Sequence, residues 1–234
     1  MLIYKQGLLF VVLAISAFTA VGQITVKTTI NDDTPIIDKA TGRRVSFREY
    51  RELTKADEYA YRLDPVYDEY GSASSFRLRP TTAYERSTHM FNHRDSTLRL
   101  DAGQKMPLFV MKGPDGKTYR STDLKGQVVV LSFWTSLNKP YWDSRNAERY
   151  ATLVQPYQLV SLGIINNSKA EVTDFLASER LPFVPIPDSY TFSRKFQVFT
   201  SPAYIVIDKV GNVAAVIDPA DDKELKAILD KVTR

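Results

Sequence analysis

Apolar positions are spread unevenly along the chain. In residues 105–234 they form short runs of strand length separated by stretches with helical spacing. Val128 to Trp134 is a continuous apolar run, the pattern of a strand buried on both faces. Leu159 to Ile165 repeats it. Met106 to Met111 and Lys117 to Arg120 flank Gly113-Pro114-Asp115-Gly116 and predict a hairpin. Ala203 to Ile207 and Asn212 to Ile217 flank Asp208-Lys209-Val210-Gly211 and predict a second one. Between these elements the pattern becomes helical. Asn138-Lys139-Pro140 predicts a helix entry, with Asn138 as the cap and Pro140 in the first turn. Ser168-Lys169-Ala170-Glu171 caps a helix reaching Glu179. A short helix is expected near Phe192 to Phe196, after a loop containing Pro182, Pro185 and Pro187. A last helix carries Leu225, Ile228, Leu229 and Val232 on one face. Strands alternating with helices imply a sheet covered on both sides, so the fold class is α/β.

Residues 23–104 read differently. They lack long apolar runs and are rich in Tyr, Arg and Asp. Two capping boxes, Ser46-Phe47-Arg48-Glu49 and Thr82-Ala83-Tyr84-Glu85, predict helices running to about Lys55 and toward His93. Asp64-Pro65 and Tyr70-Gly71 predict turns. With few aliphatic residues to offset chain entropy, the region is expected to be an irregular arm. Its aromatic residues, Tyr59, Tyr61, Tyr67, Tyr70, Phe76 and Tyr84, would pack on the domain that follows. Local disorder is the alternative.

Residues 1–22 have the pattern of a secretory signal peptide: Lys5, the apolar run Leu8 to Ile15, and the small residues Ala20 and Gly22 before Gln23. The run is shorter than the roughly 20 apolar residues of a membrane span. An uncleaved anchor is the alternative. The expected organisation is therefore a signal peptide at 1–22, a Tyr/Arg-rich arm at 23–104 and an α/β domain at 105–234. The expected location is periplasmic or secreted, with no membrane span after cleavage.

Charge and composition narrow the chemistry. The net charge is +4. Residues 23–104 carry 13 Lys and Arg against 13 Asp and Glu, so no basic stripe points to nucleic acid. The chain contains no cysteine. Disulfides, Cys-ligated metals and thiol nucleophiles are all excluded for it. The two histidines, His89 and His93, lie in the arm, and no Ser-His-Asp pattern or Gly-rich phosphate loop accompanies them. Glu85, His89 and His93 are spaced four apart and would share a helix face, a possible metal set. Against it, Glu85 is already explained as a capping residue, and Arg86 and Arg94 disfavour a cation. Trp134, Tyr141, Trp142 and Tyr150 form an aromatic group that is either packed against the arm or offered to a ligand.

Four segments in order resemble the thioredoxin-like superfamily, in its exported thiol–disulfide oxidoreductase and alkyl hydroperoxide reductase (redoxin) branch. They are Met106-Pro107-Leu108-Phe109 with Asp115-Gly116-Lys117; Asp123 through Trp134; Leu181-Pro182-Phe183 with Pro187-Asp188; and Thr200 through Asp208. The resemblance covers about Met106 to Val232. It implies a thioredoxin-like fold, a central mixed sheet with helices on both faces, and a cis peptide bond at Ser201-Pro202. It also places Asn138 and Tyr141 where the family has its nucleophilic and resolving cysteines. A thiolate is the nucleophile in thiol–disulfide exchange, and neither an amide nor an unperturbed phenol replaces it. The resemblance therefore implies a redox-dead protein with no cofactor. Its vestigial site is Asn138 and Tyr141. Its candidate groove for an unknown protein or peptide partner is Trp134, Trp142, Ser201 and Pro202. The alternatives are metal-dependent activity through Glu85, His89 and His93, or an accessory that docks to a cysteine-bearing partner.

Overall fold

The computed structural model of the chain describes residues 30–90 and 98–234. The signal-peptide reading of residues 1–22 and the histidine His93 lie outside the described residues. Among those described, no helix is long and apolar enough to cross a membrane.

The C-terminal part is built around one five-stranded sheet. Its strands are β7 (Val128–Trp134), β8 (Leu159–Ile165), β9 (Val184–Ile186), β10 (Ala203–Ile207) and β11 (Val213–Ile217), in the order β11-β10-β7-β8-β9. β7, β8 and β9 are parallel, while β10 runs antiparallel to β7 and to β11. A two-stranded hairpin, β5 (Val110–Lys112) and β6 (Thr118–Arg120), precedes them. The helices are α3 (Ser144–Val154), α4 (Lys169–Ser178), α5 (Tyr190–Lys195) and α6 (Asp222–Val232). This is the mixed sheet with flanking helices that the four segments imply.

Every residue of β7 is buried, and the two-residue period divides them between two layers. Val129, Leu131 and Phe133 join Phe109, Phe192 and Phe196. Val128, Val130 and Trp134 join Tyr150 and Val154 of α3 and Leu225 and Leu229 of α6. A continuous apolar run is what such a strand requires, which is why its limits were readable from the sequence. The final helix was readable for a related reason: its apolar face seats Leu225 and Leu229, and Asp221 caps it by accepting from the N–H groups of Lys223 and Glu224.

The N-terminal region corrects the expectation of an irregular arm. Residues 36–80 contain a four-stranded sheet, with β1 (Ile36–Asp38), β2 (Arg44–Val45), β3 (Tyr61–Tyr67) and β4 (Ala73–Pro80) in the order β2-β1-β4-β3. Helices α1 (Phe47–Thr54) and α2 (Ala83–Thr88) complete it. Ile36, Val45, Phe76 and Leu78 form a small core of their own, lined by Phe47, Tyr50, Tyr61 and Leu63. A few aliphatic residues suffice because cross-strand register gathers them: Ile36 pairs with Val45 on one side and with Phe76 on the other. Asp64-Pro65 is not a turn but lies inside β3. β3 is an edge strand, where proline's missing N–H removes no ladder bond on the open side. The second expected turn is present. Asp68 Oδ1 accepts from the N–H groups of Tyr70 and Ser72, and Gly71 has φ +75°.

This turn meets the C-terminal part. The Glu69 carbonyl accepts the Val110 N–H at 2.6 Å, and the Asp68 carbonyl accepts from Lys195 Nζ. A Cβ at Gly71 would lie 2.9 Å from Thr191 Oγ1 and 3.2 Å from the Phe192 ring. The aromatic residues do not pack as a group on the C-terminal part: Phe76 belongs to the small core, while Tyr59, Tyr70 and Tyr84 are exposed.

One ion-pair cluster ties α2 to the small sheet. Glu85 is fully buried and takes both terminal nitrogens of Arg79 at 2.8 Å, one on each oxygen. Glu85 Oε2 also accepts the Thr82 N–H, closing the capping box, and Arg79 Nε reaches Asp64 at 2.5 Å. These bonds, the Arg79 contact foremost, hold the Glu85 carboxyl down at about 2. Removing one member of a buried pair costs about 3–5 kcal/mol, and the partial exposure of Arg79 places Glu85→Gln nearer the lower value. Urea unfolding is the measurement. A carboxyl depressed below its ordinary 4.5 contributes stability that is present above that value. That stability drains away as pH falls toward about 2, so the wild type should show this acid-side loss and Glu85→Gln should lack it. A second expectation concerns the turn. Gly71→Ala combines positive φ with a close contact on Thr191, and should cost about 1–3 kcal/mol, read as a lowered thermal midpoint.

Candidate functional site

The C-terminal end of β7 leads into the loop where the family motif would carry its thiols. Trp134, its last residue, is 3% exposed and is the hub of an aromatic cluster. Trp142 meets its ring edge-on at 4.7 Å, Tyr150 edge-on at 5.7 Å, and Phe183 stacks on it at 6.1 Å. Gly163 on β8 makes room for Phe183: any Cβ there would fall 2.2 Å from the ring. Trp142 is 4% exposed. Both tryptophans therefore sit in the core of the C-terminal part, away from any ligand and from the N-terminal region. That corrects their reading as groove residues and as a surface packed against an arm. Tyr141 is the member of the group that stays accessible, at 46%.

The cluster also moves the helix. The sequence reading starts a helix at Asn138-Lys139-Pro140, whereas α3 starts at Ser144 with Asp143 as its cap. Asp143 Oδ1 accepts the Asn146 N–H at 2.9 Å. Residues 138–142 form turns instead, with the Asn138 carbonyl accepting from the N–H groups of Tyr141 and Trp142. Trp142 inserts beneath Trp134, so the chain must dip into the core before the helix can begin. Asp143 was the available signal, since Asp is among the preferred caps. Asn138 is thus an exposed loop residue, not a cap. The positive end of the helix dipole acts within its first turn, and that turn starts beyond Asp143 rather than at Asn138.

Opposite this loop stands the segment Phe199-Thr200-Ser201-Pro202. Ser201-Pro202 is a cis peptide bond, as the resemblance implies, and Lys139-Pro140 is cis as well. Ser201 Oγ accepts the Thr135 N–H at 2.8 Å, joining the two loops. Leu137 N–H is held by the buried Asn167 Oδ1 at 2.8 Å. The segment itself is clamped by Asp218, on the far side of the β10–β11 hairpin. Its carboxylate accepts from Phe199 N–H at 2.6 Å, from Thr200 N–H at 2.9 Å and from Thr200 Oγ1 at 2.5 Å. Ser201 is exposed, and among the described residues its own N–H and C=O take no backbone partner. Phe199, 45% exposed, stands beside them. The site thus offers one free backbone donor and acceptor with aromatic surface nearby.

No side chain here substitutes for a thiolate. Burial raises the Tyr150 phenol, and it pushes the Tyr204 phenol up to about 12, so both stay protonated at neutral pH. Glu85 is not free to bind a metal either. Both Glu85 oxygens are spent on Arg79 and Thr82, and His89 ends α2 in a left-handed conformation, edge-on to Tyr59 at 5.1 Å. The alternative of a metal at Glu85, His89 and His93 loses its only carboxylate to the capping box and Arg79.

The comparisons with known proteins match this architecture. Residues 102–216 match the model of the AhpC/TSA family. The chain is 28% identical over 141 residues to the thiol-disulfide oxidoreductase ResA of Bacillus cereus, covering 58% of this chain and 80% of that one. Among solved structures, a thiol:disulfide interchange protein DsbE from Chlorobium tepidum is 23% identical, with a TM-score of 0.48. That match covers 58% of this chain and 99% of that one. A thiol-disulfide oxidoreductase from Bacteroides vulgatus is 20% identical, also with a TM-score of 0.48, covering 59% and 99%. With its strand order and its Ser201-Pro202 loop, the C-terminal part of the chain has a thioredoxin-like fold that resembles the AhpC/TSA family over residues 102–216 and contains no cysteine.

Proposed function

We propose that this chain is a non-catalytic, exported thioredoxin-like protein that binds an extended protein or peptide segment. The binding edge is Ser201-Pro202, with Asn138 and Tyr141 beside it. The observation that carries the reading is a loop kept in register by Asp218 and Thr135 in a chain that has no thiol to use it. An exposed N–H and C=O on one residue suit strand addition, in which main-chain bonds supply affinity. Tyr141 and Phe199 supply accessible aromatic surface of the kind that anchors partners. Export is supported by the apolar run Leu8 to Ile15 and the small residues before Gln23. The same reading divides the chain into a leader at 1–22, an N-terminal module at 23–104 and the thioredoxin-like domain at 105–234. The match to an oxidoreductase supports a narrower version, in which the partner carries cysteines and this chain docks without exchanging electrons.

Selection of extended peptides from a displayed library against the purified protein tests the reading. Selected peptides should lose binding when the residue opposite Ser201 is N-methylated, because the main-chain bond is then blocked. Asp218→Ala releases three hydrogen bonds to the loop, two of them from backbone. Since each such bond is worth about 0.5–1.5 kcal/mol net, peptide affinity should fall by about tenfold or more. Calorimetry reads it, and unchanged affinity would place the binding elsewhere.

Redox assays give the complementary test. Insulin reduction and peroxide turnover should both stay at background. Asn138→Cys should not restore a reactive thiolate, because α3 begins beyond Asp143. Its thiol should titrate near the free value of about 8.5, measured by pH-dependent alkylation. A strongly depressed value would mean that position 138 does feel the helix N-terminus.

A further inference from the structure

The other end of the same sheet carries a concavity. Val129, near the start of β7, pairs with Ile207, the last residue of β10. With Met106 and Phe109 they line a pocket of about 70 Å³. At about 3.3 Å per strand residue, the pocket lies roughly 20 Å along β7 from the Thr135–Ser201 contact. It owes nothing to the vestigial site.

Its walls are braced by main-chain bonds. Met106 N–H donates to the Gly211 carbonyl at 3.0 Å, Ser121 N–H to Phe109 at 3.0 Å, and Gly126 N–H to Lys209 at 2.8 Å. Phe109 N–H is taken by Ser121 Oγ at 3.2 Å. The pocket is thus held open by the fold itself, and a ligand need not order it. At its mouth Leu108 is 55% exposed and Val210 is 74% exposed. Single exposed apolar residues are ordinary, but here two of them border one apolar hollow. Lys105 and Lys125 stand at the same mouth, both exposed, and neither ammonium forms a salt bridge among the described residues. Asp208 is the one carboxylate in the lining, and its Oδ1 is already committed to the N–H groups of Val210 and Asn212.

We propose that this pocket docks an acidic segment of a partner protein that presents one aliphatic side chain between carboxylates. The small apolar hollow suits a branched aliphatic group. Leu108 and Val210 would be covered as the anchor enters, and Lys105 and Lys125 would meet the flanking acids. Charges placed around an apolar centre give orientation and selectivity against basic partners.

The probe is the peptide Gly-Glu-Leu-Glu-Gly, titrated into isotopically labelled protein and followed by amide chemical shifts. Shifts are expected at Met106, Val129 and Ile207, weakening as salt is added because the rim charges are exposed. Gly-Glu-Ala-Glu-Gly and Gly-Lys-Leu-Lys-Gly should each bind at least about tenfold more weakly. The double variant Lys105→Glu, Lys125→Glu and the lip variant Val210→Asp alter exposed positions only, and each should also weaken binding about tenfold. Asp218→Ala should leave it unchanged, which separates this site from the Ser201 edge. Absence of pocket shifts up to about 1 mM peptide would overturn the proposal, as would equal binding of the lysine peptide. Hexanoate binding at the pocket as tightly as the peptide would overturn the protein partner in favour of a small carboxylate.

Discussion

A strand buried on both faces must find apolar neighbours above and below at every residue, and β7 imposes that demand on the whole C-terminal domain. Its odd and even residues feed two separate layers. Helices α3 and α6 must cover one side, and α5 with the Phe109 segment must cover the other. The parallel β8 on one side and the antiparallel β10 on the other then follow, because a central strand leaves no ladder group unpaired. The ends of β7 inherit their roles from this placement. One delivers Thr135 to the Ser201 loop, and the other delivers Val129 to the lysine-rimmed pocket.

Trp134 turns that constraint into the geometry of the loop after β7. As the last buried residue of β7, it draws Trp142 and Phe183 onto its faces and edge. The loop that would present a nucleophile is thereby tied to the core at Trp142, and α3 is delayed until Ser144. The absence of cysteine and this helix start agree with each other. A position outside the first helical turn has no special call on a residue whose anion the helix would stabilise. The Ser201 loop opposite is fixed separately, and Asp218 spends its whole carboxylate on keeping it in place.

The N-terminal module has a different physical basis. Its apolar core is small, and charge takes up part of the work: Arg79 bridges Asp64 and the buried Glu85, linking β3, β4 and α2. Such a cluster is specific in geometry but depends on every member remaining charged. The module touches the thioredoxin-like domain through the Asp68–Gly71 turn and α5, using main-chain carbonyls, a close glycine and the partly buried Tyr67 beside Arg194 and Tyr190.

Local rules were enough wherever one segment's own pattern sets the outcome. The limits of β7, β8 and β10, the caps Ser46, Thr82 and Ser168, the face of α6 and the Tyr70-Gly71 turn all follow from spacing and side-chain type within a few residues. The thioredoxin-like fold followed from four such segments in order, and the absence of thiol chemistry from the cysteine count alone. Tertiary structure decided what depends on contacts far apart in the chain. Pro65 became a strand residue because β3 lies at a sheet edge. The sparse aliphatics of residues 36–80 became a core because register brought Ile36, Val45 and Phe76 together. Trp142 pulled the start of α3 past Asn138, Asp218 reached back to residues 199 and 200, and Arg79 took both oxygens of Glu85. In each case the deciding partner lies on another element, and only folding makes it a neighbour.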